Sequence, residues 1–139
     1  MVRRNVRIYR SPSRKPRSKI PDALKSEITQ KANELLESKL KPWKLEVDQH
    51  AKEHGFNYAI DLYITWWRNY LYFCTRYRCP GPNALVDYFE SRFTRIEYVG
   101  GRRFNLSYMR HTGKWCEVYQ RLPPEECLKA IEAEEIFWP

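Results

Sequence analysis

The strongest constraint on the fold is an alternation of apolar and polar side chains that begins near residue 56 and extends to residue 78. Large apolar side chains occupy every second position on both sides of Arg68-Asn69, as expected of two β-strands that each bury one face. A two-residue turn at Arg68-Asn69 joins the two segments as an antiparallel hairpin. The sequence therefore predicts a sheet, and the register of this hairpin decides which side chains share a face.

This register predicts one apolar face and one mixed face. The core face pairs Trp66 with Leu71, Ile64 with Phe73, Leu62 with Thr75 and Ile60 with Tyr77. The other face pairs Trp67 with Tyr70, Thr65 with Tyr72, Tyr63 with Cys74 and Asp61 with Arg76. Asp61 and Arg76 are expected to form a cross-strand charge pair that helps to specify the register.

Helical periodicity predicts a helix before this hairpin. Its apolar side chains recur at three- and four-residue steps, namely Leu24, Ile28, Ala32, Leu35, Leu36 and Leu40. Asp22 is the candidate N-cap and Pro42 the expected end. A weaker helix is expected to follow and to stop at Gly55, with Trp43, Val47 and Ala51 on one side.

The rest of the chain predicts three more strands and a closing helix. Residues 84–90 fit one or two helical turns, and strands are expected from about residue 92 to residue 120. Ile96 and Tyr98 share a face with Phe104 and Leu106 only if the loop between them is Gly100-Gly101-Arg102. The last hairpin register stays open, since one loop length puts Trp115 and Tyr119 on the core face and a longer one puts Cys116 and Val118 there.

The closing helix follows Pro123-Pro124 and carries Glu125 and Glu126 in its first turn, where the helix dipole favours acidic side chains. Its apolar side is formed by Cys127, Leu128 and Ile131. We therefore expect an α+β fold in which an antiparallel sheet of about five strands has the N-terminal and C-terminal helices packed on one face.

The formal charge of +8 comes from the start of the chain. Residues 1–20 contain eight basic and no acidic side chains, and the remainder contains 17 of each. With Pro12, Pro16 and Pro21 this composition predicts a disordered basic arm at 1–21 and a single domain at 22–139. Unpaired positive charge of this density attracts polyanions, although a solubilising tail and an organelle transit peptide are alternatives.

Four cysteines show no C-x-x-C spacing and no secretory segment precedes them, so reduced thiols and a cytoplasmic location are expected. No run approaches the length of a membrane span, and no membrane partner is expected. No cofactor is implied.

Motifs for catalysis and for metal binding are incomplete. His50 and His54 have a spacing that suits zinc, with His111 or a cysteine as a third ligand. A nuclease centre would draw on the carboxylates of Asp61, Asp87, Glu90 and Glu97. Cys116, beside Lys114 and His111, is the best candidate nucleophile. None of these sets is complete, so we assign no catalytic or metal-binding residue and do not expect an enzyme.

The leading hypothesis is a non-enzymatic protein that associates with DNA or RNA. Arginines of the arm and of the mixed sheet face would contact phosphates, and aromatic rings would stack on bases. The candidate residues are Arg3, Arg4, Arg7, Arg10, Arg14, Lys15, Arg17, Lys19, Tyr63, Trp67, Tyr70, Tyr72, Arg76 and Arg78. The alternatives are a second helical layer over this face, a protein interface such as a homodimer, and an unrecognised nuclease-like enzyme.

The second half of the chain contains several short motifs, namely RIEYV at 95–99, FNLSYMRH at 104–111, GKW at 113–115, LPP at 122–124 and IFWP at 136–139. In these motifs the chain resembles the bacterial family catalogued as domain of unknown function 3024, whose members also have an N-terminal helix leading into a strand. The end of the chain departs from the family pattern, with Ala133-Glu134-Glu135 and Pro139 instead of an Asp-Pro pair and a glycine. The resemblance supports the fold and transfers no functional residue.

Overall fold

Five antiparallel strands form one sheet in a computed structural model that describes residues 18–139. The strands follow one another across the sheet in chain order, as a meander. They are β1 (Tyr58–Trp67), β2 (Tyr70–Arg78), β3 (Tyr88–Tyr98), β4 (Phe104–Met109) and β5 (Trp115–Leu122). The predicted α+β fold with a five-stranded antiparallel sheet is confirmed.

The helical elements of residues 18–139 build the second layer. They are α1 (Asp22–Leu35), a π-helical segment (Leu36–Leu40), α2 (Lys41–Val47), α3 (Gln49–Glu53), α4 (Pro124–Ala133) and a 3₁₀ turn (Glu135–Phe137). The buried side chains of α1, the π-helical segment, α4 and the 3₁₀ turn join one hydrophobic core with the strand residues Leu62, Leu71, Phe73, Phe93, Ile96, Tyr98, Phe104 and Leu106. Except for Phe93, which was not predicted there, these strand residues belong to the predicted core face, so the N-terminal and C-terminal helices cover that face of the sheet.

The predicted register of the first hairpin is confirmed from Trp67 opposite Tyr70 back to Asp61 opposite Arg76. The predicted pair of Ile60 with Tyr77 is wrong, because a β-bulge between Ala59 and Asp61 puts Ala59 opposite Tyr77. The bulge leaves the Ile60 side chain exposed instead of buried in the core.

The predicted charge pair between Asp61 and Arg76 is also wrong, although the two residues lie opposite each other. Asp61 binds Lys41 Nζ, at the start of α2, at 2.9 Å. Arg76 instead binds Glu90, its neighbour on β3, with an Nη2–Oε2 distance of 2.6 Å. Each charge therefore has a partner outside the hairpin, because β1 is flanked by a helix and β2 by a third strand.

Pro42 does not end the first helix, contrary to the prediction. In the π-helical segment the Lys41 N–H donates to Leu36 O, five residues back, and the chain continues as α2 with Pro42 in its first turn. Proline has no N–H to donate and its ring crowds the preceding turn, and the wider π turn accommodates both effects. Asp22 is the first residue of α1 and forms no side-chain cap, so the prediction of an Asp22 N-cap is wrong as well.

The weaker helix is present as α2 and α3, and Gly55 follows with a φ of 76°. Trp43 is partly buried as predicted and its ring packs edge-on against Trp138, with centroids 4.9 Å apart. Val47, which was predicted to share the packed side, is exposed.

Residues 84–87 form no helix, contrary to the prediction, and Leu85 is fully exposed. The strand pairing of β3 already begins at Tyr88, opposite Arg78. The rings of Phe89 and Tyr77 stack with centroids 4.9 Å apart. Tyr88, Phe89 and Glu90, which were predicted in the short helix, are therefore paired with β2 as part of β3.

The three-residue loop Gly100-Gly101-Arg102 is confirmed, with positive φ at all three residues. In the last hairpin, Tyr108 lies opposite Cys116, whereas Leu106 lies opposite Tyr119. Register shifts on both sides of Leu106 produce this mixture. Each of the two open alternatives is therefore correct for only part of β5. The register shift moves the side chains that follow it to the opposite face of the sheet, so Cys116 pairs with Tyr108 and Tyr119 pairs with Leu106.

The start of β1, an edge strand, is covered by a side chain of the α2–α3 junction. The Asp48 carboxylate accepts a hydrogen bond from the Ala59 backbone N–H at 2.8 Å. Lys44 Nζ lies 3.1 Å from the same carboxylate, and both side chains are largely buried. An edge amide that would otherwise be open is therefore satisfied within the chain.

Arg102 joins the β3–β4 loop to both terminal helices. Its guanidinium donates to the two carboxylate oxygens of Glu27 on α1 at 3.2 Å each, and to Glu125 on α4 at 3.2 Å. The hydrogen bond from Arg102 is the main cause that lowers the pKa of Glu27, and Lys31 adds to it. The three elements are thus connected by one charged side chain at the surface.

We expect Arg102→Gln to make the free energy of unfolding depend less on pH in the acid range. Because the folded-state pKa of Glu27 is lowered, its contribution is present above the unfolded-state value near 4.5 and is lost as the pH falls through the lower folded value. Urea unfolding at pH 7 and pH 3 should show a smaller loss of stability for Arg102→Gln than for the wild type. The exposed neighbouring residue supplies the control, Arg103→Gln, and equal acid losses in all three proteins would contradict this account.

Candidate nucleic-acid interface

The sheet face turned away from the helices is called the open face. The strand registers place these side chains on it: Asp61, Tyr63, Thr65, Trp67, Tyr70, Tyr72, Cys74, Arg76, Arg78, Tyr88, Glu90, Arg92, Arg95, Glu97, Ser107, Trp115 and Glu117. Within residues 18–139 the helices contribute their buried side chains to the core on the opposite face. The alternative of a second helical layer over the open face is therefore not found in this part of the chain.

Arginine guanidinium groups stack over aromatic rings along the whole open face. The distances from guanidinium carbon to ring centroid are 4.6 Å for Arg68 over Trp67, 5.0 Å and 4.7 Å for Arg95 over Tyr70 and Trp115, 4.1 Å for Arg92 over Tyr72, 5.4 Å for Arg76 over Tyr63 and 5.1 Å for Arg78 over Tyr88. This spacing is that of cation–π interactions. Guanidinium groups and rings therefore alternate over much of this face, and the carboxylates of Glu90 and Glu97 lie among them.

Tyr72 lies at the centre of this surface and is only 5% exposed. Its ring is covered by the Arg92 guanidinium and flanked by the rings of Tyr70 and Trp115, each with its centroid 5.9 Å away. Trp67, at the end of the row, is 53% exposed. Tyr72 therefore supports its neighbours, and Trp67 offers the most accessible ring of this row.

A hydrogen-bonded group of charges lies beside the rings. Glu90 accepts hydrogen bonds from Arg76 at 2.6 Å and 3.1 Å, and this contact is the main cause that lowers the Glu90 pKa. Burial, followed by the hydrogen bond with Glu90, raises the pKa of Tyr63 to about 12. Among residues 18–139, Arg68 and Arg92 make no ion pair. At neutral pH Tyr63 is therefore neutral, and Arg68 and Arg92 are cations that no carboxylate of the described residues neutralises.

The first described residues, Ser18 to Ile20, are bound to the β1–β2 turn. The side chain of Asn69, in the β1–β2 turn, donates from Nδ2 to Ser18 O at 2.9 Å and accepts from the Ile20 N–H at 3.0 Å. Ile20 is buried in the core, so the ordered body begins before the predicted boundary at Asp22. The described part of the chain therefore begins beside the β1–β2 turn.

The six candidate residues predicted on the hairpin, namely Tyr63, Trp67, Tyr70, Tyr72, Arg76 and Arg78, all lie on the open face. Of the predicted arm cations, Lys19 is described and exposed, whereas Arg3, Arg4, Arg7, Arg10, Arg14, Lys15 and Arg17 lie outside the described residues.

Sequence reasoning missed Arg92, Arg95 and Trp115. Arg95 alternates with the core residues Thr94 and Ile96, and that signal was available. Arg92 could not be assigned to this face from the sequence, because the register shifts next to it. Phe93 is an extra residue that is buried, and Arg92 lies opposite Cys74. The face on which Trp115 lies depends on the β4–β5 register, which the sequence left open.

The other chemistries have little support in residues 18–139. No group of three or more His, Cys, Asp or Glu side chains in this range could hold a metal ion. His50 and His54 stack on each other with centroids 4.1 Å apart. Burial raises the pKa of Cys74, and raises that of Cys127 to about 12, so neither thiol favours its reactive thiolate form. No helix in the described part of the chain is long and apolar enough to cross a membrane.

The fold and the candidate site define a class: a two-layer α+β protein whose sheet has one helix-covered face and one face of stacked arginines and aromatic rings. The family model described as Domain of unknown function (DUF3024) matches residues 20–139. The chain belongs to that family, which confirms the resemblance noted from its motifs. Comparisons with curated proteins and with solved structures give no match.

Truncation of two open-face rings should have very different effects on stability. Tyr72→Ala should lower the free energy of unfolding by about 3–5 kcal/mol, because it removes a buried ring and the partner of Arg92. Trp67→Ala should stay within about 1 kcal/mol of the wild type, because half of its ring is already in water. Urea denaturation measures both values, and Tyr72→Phe is the conservative control. Equal losses for the two alanine variants would contradict the assigned burial.

Proposed function

We propose that the chain binds single-stranded nucleic acid on the open face, that the basic arm adds phosphate contacts, and that it catalyses no reaction. The observation that carries the proposal is the row of arginine guanidinium groups stacked over aromatic rings on a sheet face without a helical layer in residues 18–139. Such a face combines the two features that single-strand binding surfaces use, namely aromatic platforms and positive charge.

The arrangement suits unpaired bases better than a duplex. Bases that are not paired can lie flat on exposed rings, whereas in a duplex the same π-faces are already stacked. Trp67 is the most accessible ring of its row, with Arg68 over it and Tyr70 beside it at a centroid distance of 6.2 Å. Arg92 lies next to these rings without an ion pair in the described part of the chain, and it supplies charge for the backbone phosphates.

The arm adds affinity without sequence preference. Its cations are free of acidic neighbours in the sequence, and neutralising phosphates releases counterions from the nucleic acid. The Asn69 contacts tether the start of the body beside Trp67, so an arm that extends from Ser18 begins at the same end of the open face. One strand of nucleic acid can therefore reach both surfaces.

The first test concerns the open face. Fluorescence anisotropy with labelled oligouridine should show that Trp67→Ala weakens binding by about tenfold, since stacking contributes about 1–3 kcal/mol per base. Arg92→Gln should also weaken it, with its loss shrinking as salt is raised. Phe56→Ala removes an exposed ring outside the open face, and Lys129→Gln removes an exposed charge on α4. Unchanged binding in the two open-face variants, or equal losses in the controls, would contradict the proposal.

The second test concerns the arm. In the full chain, Arg3, Arg4, Arg7, Arg10, Arg14, Lys15 and Arg17 are changed to Gln. Each phosphate contact contributes about −0.7 to the slope of log affinity against log salt on a single strand, so this variant should show a shallower slope. Trp67→Ala should leave the slope unchanged while lowering affinity. A slope that does not respond to the arm charges would restrict phosphate binding to the body.

A second candidate function is a homodimer formed through the open face. The exposure of Trp67 favours it, because exposed tryptophans are enriched at protein interfaces. In that case Trp67→Ala lowers the molar mass measured by light scattering and leaves oligouridine binding unaffected. The same variant therefore separates the two functions.

A further inference from the structure

A cleft of about 420 Å³ lies on the core side of the sheet, between β2, β3, the β4–β5 loop and the C-terminal residues. Thr75 of β2 and Ser91 and Phe93 of β3 line it from the sheet, the β4–β5 loop lines one side and Trp138 lines another. Its volume is in the range of small-molecule sites. The cleft is separate from the open face, because Thr75 shares the core face with Phe73.

Thr75 is the unusual residue of this cleft. It is fully buried, and its hydroxyl oxygen has no hydrogen-bond partner among the described residues. A buried polar group without a partner is rare in native structures, because leaving it unpaired costs the desolvation of that group. Ser91 lies directly opposite it on β3 and brings a second hydroxyl to the cleft. The sheet side of the cleft thus carries a polar group that lacks a partner within the described chain.

Arg110 is the cationic side chain that the β4–β5 loop brings to the cleft. Arg110 and His111 in the β4–β5 loop line it, and both are exposed. Among residues 18–139 neither forms an ion pair, and none of the side chains that line the cleft is acidic. Arg92 also contributes to the lining, but its guanidinium stacks on Tyr72 of the open face. The cationic side of the cleft is therefore the loop.

Two aromatic walls are held in fixed positions. The Trp138 indole N–H donates to Ile131 O at 2.7 Å, and Trp43 packs edge-on against the same indole. Phe93 is buried and packs against Phe73 with centroids 6.2 Å apart. Because packing immobilises these rings, they present preformed apolar surface to a ligand.

We propose that this cleft binds a small organic anion, with a carboxylate or phosphate group on an aromatic or similarly flat apolar body. Arg110 and His111 contact the anionic group, and the hydroxyls of Thr75 and Ser91 donate to it. The apolar body lies between Phe93 and Trp138. A hydroxyl that is paired only when ligand is present accounts for a threonine at a buried position where valine would have the same shape.

The test is a titration of the full chain with phenyl phosphate, followed by the backbone amide chemical shifts of the β4–β5 loop. Local shifts are needed because the basic N-terminal segment also attracts phosphate. Phenol keeps the ring without the charge, and inorganic phosphate keeps the charge without the ring. Both are expected to bind about tenfold more weakly than phenyl phosphate.

Thr75→Val is the decisive variant, because it has the same shape and lacks the hydroxyl. It should weaken phenyl phosphate binding by about tenfold and raise the melting temperature of the unliganded protein, since no buried hydroxyl is left unpaired. Thr65→Val, on the open face, is the matched control and should bind as the wild type does. Arg110→Gln should weaken binding and leave the melting temperature unchanged.

Two results would overturn the proposal. One is equal binding of phenyl phosphate and phenol, or equal binding by Thr75→Val and the wild type. The other is a phosphate-dependent shift that arises only with a 5′-phosphorylated oligonucleotide and never with phenyl phosphate, which would assign the anion to a nucleic acid end instead of a free small molecule. Neither result changes the expected effect of Trp67→Ala on oligouridine binding. The cleft proposal can therefore be overturned while the proposed function stands, and the reverse also holds.

Discussion

The pairing of β1 with β2 around Arg68-Asn69 is the constraint on which the rest of the structure depends. It puts Leu62, Ile64 and Trp66 toward the helices and Tyr63, Thr65 and Trp67 away from them. Since side chains alternate along a strand, a slip of one residue would exchange the two sets and bury the polar one. The core, the open face and the point at which the N-terminal segment enters the body all follow from this one register.

A sheet with a single helical layer must stabilise its second face by other means. Here the second face is neither dry nor simply polar: guanidinium groups cover the rings and keep charge in contact with water. Tyr72 shows the effect most clearly, because it is buried without a helix above it. Residues that look like a binding platform in the sequence therefore divide into supporting rings, such as Tyr72, and accessible rings, such as Trp67.

Period-two and helical patterns were sufficient to predict the sheet, the first hairpin register, the β3–β4 loop and the two terminal helices. The errors fall where one residue interrupts a pattern, as at Ile60 and in β5, since a bulge changes the face without changing composition. Pro42 was misassigned for a related reason, because a π turn leaves no sequence signature. The cleft at Thr75 could not be predicted, since residues from β2, β3, the β4–β5 loop and the C-terminal end of the chain, which are distant in the sequence, meet there.

The contact between Asp48 and the Ala59 amide has a further consequence for how copies of this chain meet. A free edge strand is a template on which another molecule can extend the sheet, and continued extension leads to fibrils. Here an incoming strand would have to displace a carboxylate that Lys44 already neutralises, and would meet the Lys41–Asp61 ion pair two residues further along. The first half of β1 is therefore protected against intermolecular sheet growth by side chains of α2 and of the α2–α3 junction.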